Sequence, residues 1–508
     1  MSNLSELLPT GGGQNAVDFV ASGTLGNGVT VALKSDGTVE AITETSVTQN
    51  IPEGSDTIWF AQPTSAPYTS AIYMDMAFDV SANKFVIVFR DDKVSGYASY
   101  IVGSISGSTI TYGAKTVFNS STVVHPSISA DPSATGKFVI AYNDFGGGAG
   151  SFVKIATLSG TTLSFGTGVN WSSANSYCRI AFDFTSSTFV LAWSKAADSD
   201  KLYATLGTYS GTTITLQTEV ELYGTGVKDW NFGLAFDPST TGKFVVVTNN
   251  SANPYAGIAV CGTISGTTIT GGTAQTFNDT GAAFEATPYS DCVFDSVNAD
   301  NLIIAFKDAA GSNYGAARAA TLSGTVFTFG TKVQFNSTVS TDMWTMAPSG
   351  VGKNFQVVYR NDTTSDRPFA AALSVSGTTI TAGTPVQITT VGVNSTSYLA
   401  AAMNPADAGS FVTIWRDKDY DSCSSVASQQ GYSSTNSADF IGITASAIAN
   451  TATGAVNVYG GINEAQSGLT IGSDYYVQDN GTLSTTASSV KVGTAISATT
   501  INMKDLKL

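Results

Sequence analysis

Uninterrupted apolar runs alternate along the middle of the chain with stretches in which apolar and hydroxyl residues take turns. The runs are KFVIVFRD from Lys84, KFVIAYND from Lys137, TFVLAWSK from Thr188, KFVVVTN from Lys243, NLIIAFKD from Asn301, NFQVVYRN from Asn354 and SFVTIWR from Ser410. Such β-branched and aromatic runs are what a strand buried on both faces needs. Some twenty residues after each of the first six comes a segment of the type SGTTIT. Its period-two alternation predicts a half-buried strand, and its Ser-Gly pair a tight hairpin turn.

Two landmarks keep one register. Phe85, Phe138, Phe189, Phe244, Leu302, Phe355 and Phe411 are separated by 53, 51, 55, 58, 53 and 56 residues. The turn glycines Gly107, Gly160, Gly211, Gly266, Gly324 and Gly377 step by 53, 51, 55, 58 and 53. The chain is therefore a repeat protein, and dividing its length by an ordinary domain size would mislead.

One unit reads as four strands: FGLAFD (Phe232 to Asp237), KFVVVTN after the turn PSTTG, AGIAVCGTIS, and TTITGGTAQTF beyond Gly266. A lone four-stranded sheet cannot hide both faces, so such units stack radially and close. The expectation is an all-β, seven-bladed β-propeller of four-stranded antiparallel blades over 51–435, without the WD or kelch signatures.

The seventh unit has no second half. Ala400 to Ser428 is expected to give its inner strands, and Val29 to Asn50 its outer pair, because ALKSDGTVEAI imitates ATLSGTTLSFG. Residues 15–50 would then close the ring. Residues 1–14, with Leu4, Leu7 and Leu8 ahead of Pro9 and three glycines, read as an arm that docks on a partner. From 436 to 508 the repeat is lost, and five to seven short strands with turns such as Asn480-Gly481 suggest a small β domain.

Composition narrows the function classes. Lys and Arg number 23 against 38 Asp and Glu, a net charge of −15, and only 12 % of residues are charged. A surface of this sign repels nucleic acid and anionic lipid. No apolar stretch reaches eighteen residues, and no basic segment followed by an apolar one opens the chain, so neither membrane insertion nor a secretory signal is expected. Cys178, Cys261, Cys292 and Cys423 lack metal or redox spacing and read as buried thiols.

Candidate chemistry is sparse. With His125 as the one histidine, Ser-His-Asp catalysis and multi-histidine metal sites drop out. Aromatic residues occupy the comparable place, eleven to fourteen before the anchor, in the other units: Tyr73, Tyr177, Trp230, Tyr289, Trp344 and Tyr398. Together with His125 they are candidate ligand-binding residues, a stacking platform for sugar rings. The alternative is that each ring wedges between neighbouring blades. Asp79, Asp131, Asp183, Asp237 and Asp295 recur before Ser/Pro/Gly turns and read as Asx-turn makers. Asp417, Asp419 and Asp421 have alternate spacing but lack the glycine and glutamate of a calcium loop, and read as a solvated loop. No catalytic residue, metal or cofactor is expected.

The opening LPTGGGQN with VDFVASGTLGNGVTVALKSDGTVEAI, the KFVI and SGTTIT repeats, and the ending SGLTIGSDYYVQDNGTLSTT with AISATT together resemble virion appendage proteins of marine tailed phages, cyanophage-like ones especially. The resemblance spans nearly the whole chain and carries no catalytic motif. It implies a non-enzymatic virion structural protein, as a tail-fibre, tail-associated or capsid appendage component. Its partners would be other virion proteins, host-surface polysaccharide or a receptor, and further copies of itself. The location implied is the exposed surface of the phage particle. A purely decorating subunit without a host ligand is the second reading, and a polysaccharide-degrading enzyme the third.

Overall fold

A computed structural model describes the chain apart from residues 1–14, 47–56, 61–70, 80, 107–108, 147–149, 173–176, 228–232, 252–255, 279–289, 295–300, 309–313, 337–340, 349–353, 362–366, 390–398, 404–409, 417–421, 429–432, 479, 489 and 504–508. For several strands, Thr341–Pro348 among them, the backbone alone is described. The described residues are all-β: antiparallel sheets, three single-turn 3-10 helices and no α-helix. None of their helices is long and apolar enough to cross a membrane. Two compact units result. A central unit holds residues 48–432, and a terminal unit combines 1–47 with 433–508.

In the central unit each apolar run is the second strand of a sheet. Lys243–Asn249, buried along its whole length, pairs with Gly233–Phe236 on one side and Gly257–Ser265 on the other. The fourth strand read from the sequence comes in two pieces. Thr268–Gly271 pairs with the end of Gly257–Ser265, and Gln275–Asn278 with its beginning. The same five-stranded plan recurs in the next two units. At the breaks marked by Gly113, Gly166, Gly272 and Gly330 the glycine lies against the threonine after the Ser-Gly turn of the following unit, while Gln217 stands at the break of the third repeat. A Cβ on Gly166 would meet the Thr212 carbonyl oxygen at 2.2 Å, and one on Gly330 that of Thr378 at 1.9 Å. The turn glycines Gly160, Gly211, Gly266, Gly324 and Gly377 have φ of 58° to 64°, which only glycine adopts without strain at the first corner of a two-residue hairpin.

The first strands pack in series. Ala71–Asp79 lies against Thr116–Ala130, followed by Cys178–Phe182, Gly233–Phe236, Ser290–Phe294, Thr341–Pro348 and Ala400–Met403, which packs back on Ala71–Asp79. Thr116–Ala130 belongs to two repeats at once: its first half pairs with Tyr97–Ser106 and its second with Lys137–Asp144.

Between several successive sheets sits an aromatic pair, although Thr248 takes the second-strand position in the fourth repeat. The last strand of one sheet supplies one ring, and the residue four after the anchor in the next supplies the other. Phe118 meets Tyr142 at 5.6 Å between centroids, Trp171 meets Trp193 at 5.1 Å, Phe277 meets Phe306 at 5.2 Å, and Phe335 meets Tyr359 at 5.5 Å. Edge and tilted geometries at these separations are favourable beyond the area they bury. The final sheet runs Ala400–Met403, Ser410–Arg416, Ser422–Ser428 and then Thr57–Phe60. Trp59 on that last strand meets Phe89 at 5.2 Å and shares one core cluster with Phe85, Ile87, Ala402, Val412 and Ile414.

The outer strand of that sheet therefore comes from Thr57–Phe60, not from Val29 to Asn50. Thr30–Leu33 and Val39–Ala41 instead enter the terminal unit, in a sheet with Ala16–Val20, Phe440–Thr444 and Thr453–Val458. The likeness of ALKSDGTVEAI to the repeat is a likeness of alternation only. Its turn is wider, with Lys34 N–H donating to the Thr38 carbonyl, and Val31 and Val39 are buried against Ile448 and Val456. Alternation fixes which residues share a face, but not which strand lies alongside. A second sheet holds Ile462–Asn463, Asp474–Val477, Leu483–Ser484, Lys491–Ala495 and Ile501–Asn502. Ala32, Ile42 and Ile443 pack on Tyr475, Val492 and Ile501 between the two sheets. The turn at Asn480-Gly481 is present, with Gly481 at φ 79° and Asn480 Oδ1 accepting from Thr482 N–H at 3.0 Å.

Two outcomes test this packing. Trp59→Ala is expected to cost about 3–5 kcal/mol in denaturant unfolding, the range for a buried aromatic ring, with Trp59→Phe recovering more than half. Gly330→Ala is expected to cost more than about 2 kcal/mol, because its Cβ would overlap backbone that cannot move away.

Candidate functional site

Repetition gives the first strands equivalent positions, and these build a cavity of about 460 Å³ inside the central unit. Its wall is apolar: Met76, Ile128, Ile180, Leu234, Cys292 and Ala401 occupy one position of successive repeats. Beside Ile180 lies Cys178, whose thiol burial pushes up to about 12, so it remains an inert packing group. Cys178, Cys261 and Cys292 are buried thiols that form no disulfide.

One end of the cavity is rimmed by the residues that follow the recurrent aspartates, Pro132, Phe184 and Pro238. The aspartates hold those turns. Oδ1 of Asp131 accepts from Ser133 N–H at 2.8 Å, that of Asp183 from Thr185 N–H at 3.0 Å, and that of Asp237 from Ser239 N–H at 2.9 Å. They also tie one repeat to the next: Asp183 Oδ2 accepts from Gly242 N–H at 2.9 Å, and Asp79 binds Gly136 N–H in the same way. These are structural carboxylates. Phe184, 53 % exposed, is the large ring on this rim.

At the inner level of the cavity stands the residue ten or eleven before each anchor: Asp75, Ser127, Arg179 and Asp291. The first strand of each sheet has no hydrogen-bonded neighbour on its inner side, so its N–H groups need acceptors. Asp75 supplies two, accepting from Met76 N–H at 2.9 Å and from Ile128 N–H of the next repeat at 3.0 Å. Ser127 Oγ accepts from Ile180 N–H at 3.4 Å, Ser129 Oγ from Phe182 N–H at 3.1 Å, and Asp291 Oδ1 from Cys292 N–H at 2.8 Å. Arg179 breaks the pattern, since a guanidinium has only donors. None of the hydrogen bonds or ion pairs among the described residues involves it. Burial raises the Asp75 carboxyl above its usual range, and the Arg179 charge pulls it partly back.

The sequence candidates lie elsewhere. Tyr73, His125 and Tyr177, all half-buried, pack tilted against one another across three repeats, with centroids 4.1 Å and 4.0 Å apart. They sit at the start of the first strands, roughly 20 Å of extended chain from the Phe184 rim, and none of them lines the cavity. Tyr73 and His125 have φ of 52° and 48°, in β-bulges where pairing slips between Ile72 and Asp75 and between Val124 and Ser127. A bulge re-aims its side chain, and here it turns the rings toward each other. Trp344 occupies the matching slip between Met343 and Thr345. Trp230, Tyr289 and Tyr398 fall outside the described residues, as do Leu4, Leu7, Leu8, Asp417, Asp419 and Asp421. No group of three or more His, Cys, Asp or Glu among the described residues is placed to hold a metal ion.

Sequence reasoning missed both Phe184 and Arg179. Each was findable as the odd residue at a repeat position: Phe where two neighbours have proline, and Arg where three other repeats have an acceptor.

No family model matches the chain, and no curated protein matches it. Solved structures similar in fold include the following three. The lectin BP39L from Burkholderia pseudomallei is 12 % identical over 72 % of this chain and 98 % of its own, with a TM-score of 0.50. AofleA from Arthrobotrys oligospora is 8 % identical, covering 85 % of this chain and 97 % of its own, at 0.40. Sqt1 from Chaetomium thermophilum is 9 % identical, covering 77 % and 100 %, at 0.43. At these identities the likeness is one of fold.

The aromatic stack carries a pH dependence. Burial first, then the charges of Arg179 and Arg90, lower His125 from 6.5 to about 3. Below pH 6.5 the unfolded chain takes up a proton that the folded chain refuses. Stability contributed here is full above pH 6.5 and is lost as pH falls toward 3, by at most about 1.4 kcal/mol per pH unit. His125→Asn, which tolerates the positive φ, should flatten the decline of unfolding free energy between pH 6.5 and 5; equal slopes would show that His125 is not the group responsible.

Proposed function

We propose that the central unit is a seven-bladed β-propeller that binds a sugar in its central cavity without chemistry, and that it does so as a virion protein displayed toward the host surface. The propeller reading is supported by the series of first strands that returns to its start and by the strand Thr57–Phe60 that completes the last sheet. The cavity carries the binding reading. It is about 460 Å³, apolar along its wall, polar at its inner level and rimmed by an exposed phenylalanine ring, a combination suited to a small amphipathic ligand. The CH face of a sugar packs on such a ring while its hydroxyls reach the polar level. Fold likeness to a protein titled a lectin is compatible with this reading.

Binding is favoured over hydrolysis because the cavity carboxylates already spend oxygens on backbone N–H groups. Asp75, Asp131 and Asp291 all accept from the main chain, whereas glycoside cleavage needs two carboxyls aimed at one bond. Residence on the particle rests on the resemblance of the terminal segments and repeats to phage appendage proteins.

Purified protein is expected to bind host envelope polysaccharide without releasing reducing sugar. Phe184→Ser should weaken that binding about tenfold, equivalent to some 1.4 kcal/mol, with an unchanged unfolding midpoint because the ring is exposed. Unweakened binding by the variant would remove the cavity from the account, and absence of binding by the parent protein would leave the decorating role.

A further inference from the structure

We propose that the sugar taken by this cavity is acidic, and that Arg179 recognises its carboxylate. The inference rests on the binding reading above and adds the class of ligand. Arg179 stands where other repeats place Asp75, Ser127 and Asp291, all acceptors for the free edges of the first strands. An arginine there does nothing for the edge. The Leu234 wall segment of the following repeat gains no acceptor from it, so the residue cannot be explained as one more edge cap.

Nor is Arg179 explained as half of an ion pair. Asp75 is the charge that couples to it most clearly, yet no contact within ion-pair distance joins them, and both Asp75 oxygens are occupied by Met76 and Ile128 N–H groups. Asp291 spends Oδ1 on Cys292 N–H. The guanidinium therefore lines the cavity with donors unmatched by any described residue. These donors stay open to the cavity, so a ligand bearing two coplanar oxygens can take the place of water on them. A carboxylate fits the planar fork in bidentate fashion, and the two neighbouring carboxylates keep the site selective by repelling an anion that is not held in that geometry. The Phe184 rim lies at the opposite end of the same cavity, so a sugar bound by its carboxylate at Arg179 extends its ring or the next residue toward Phe184.

The test is calorimetric titration of the full chain with trigalacturonate, with the neutral galactose trisaccharide of the same linkage, and with a sulfated galactose trisaccharide. The parent protein should bind trigalacturonate at least tenfold more tightly than the neutral sugar. Arg179→Gln should abolish that preference, bringing trigalacturonate affinity down to that of the neutral sugar, and Phe184→Ser should weaken both acidic and neutral sugars. Arg179→Lys, which keeps the charge but loses the fork, should retain only part of the preference and guards against a glutamine variant that fails to fold. Equal affinity for acidic and neutral sugars, with binding still lost in Phe184→Ser, would overturn the inference and leave the cavity reading intact. Tighter binding of the sulfated sugar would overturn the carboxylate assignment. No binding of any of the three would overturn the inference together with the reading it rests on.

Discussion

Everything in the central unit depends on how one sheet is held against the next. A sheet of four or five strands exposes two apolar faces, and at most of the joints the structure covers them by driving an aromatic ring from the last strand of one sheet onto an aromatic ring in the second strand of its neighbour. Phe118 on Tyr142, Trp171 on Trp193, Phe277 on Phe306 and Phe335 on Tyr359 are the same contact made in different repeats. The closing contact, Trp59 on Phe89, is made in the same way by the strand Thr57–Phe60, which pairs with Ser422–Ser428 from the other end of the central unit. Around these rings the packing is tight enough that a Cβ on Gly166 or Gly330 would overlap the backbone of the next Ser-Gly turn.

Holding the sheets this way leaves a constraint at the middle. The first strands have one hydrogen-bonded neighbour each, so their inner edges carry free N–H groups, and the repeat answers with short polar side chains that reach across to the next strand. The apolar wall and the Asx turns at the rim follow from the same repetition. Once a periodic frame supplies stability, single repeats are free to depart from it. Arg179 and Phe184 are such departures, three residues of strand and a turn apart in one repeat, and both face the same cavity. Function in a repeat protein is most economically placed at positions where neighbouring repeats already do the structural work.

Much of this was legible in the sequence. The spacing of Phe85, Phe138, Phe189 and their equivalents gives the strand that is buried on both faces, and the Ser-Gly pairs give the hairpins. The recurrent aspartates were readable as turn makers, because equivalence in several repeats argues against a unique catalytic pair. What the sequence did not show was pairing at a distance. The hairpin from Thr30 to Ala41 alternates as a repeat strand does, yet it lies in the terminal unit, while the short TIWF segment at Thr57–Phe60 takes the outer place in the last sheet. Alternation encodes faces, and a wedge ring such as Trp59 encodes the partner. The aromatic residues eleven to fourteen before the anchors draw attention by their kind; β-bulges at Tyr73 and His125 turn those rings onto each other and His125 also meets Tyr177, while the cavity is built by the quieter positions that follow them.

The central claim is that ligand enters among the first strands and not between sheets at the periphery. It is tested most directly by determining the structure of the full chain with an acidic oligosaccharide bound. The account predicts density for a sugar inside the cavity, its carboxylate within hydrogen-bond distance of the Arg179 guanidinium and a pyranose ring against Phe184. A sugar seated in an outer groove between sheets, with the cavity unchanged, would contradict it.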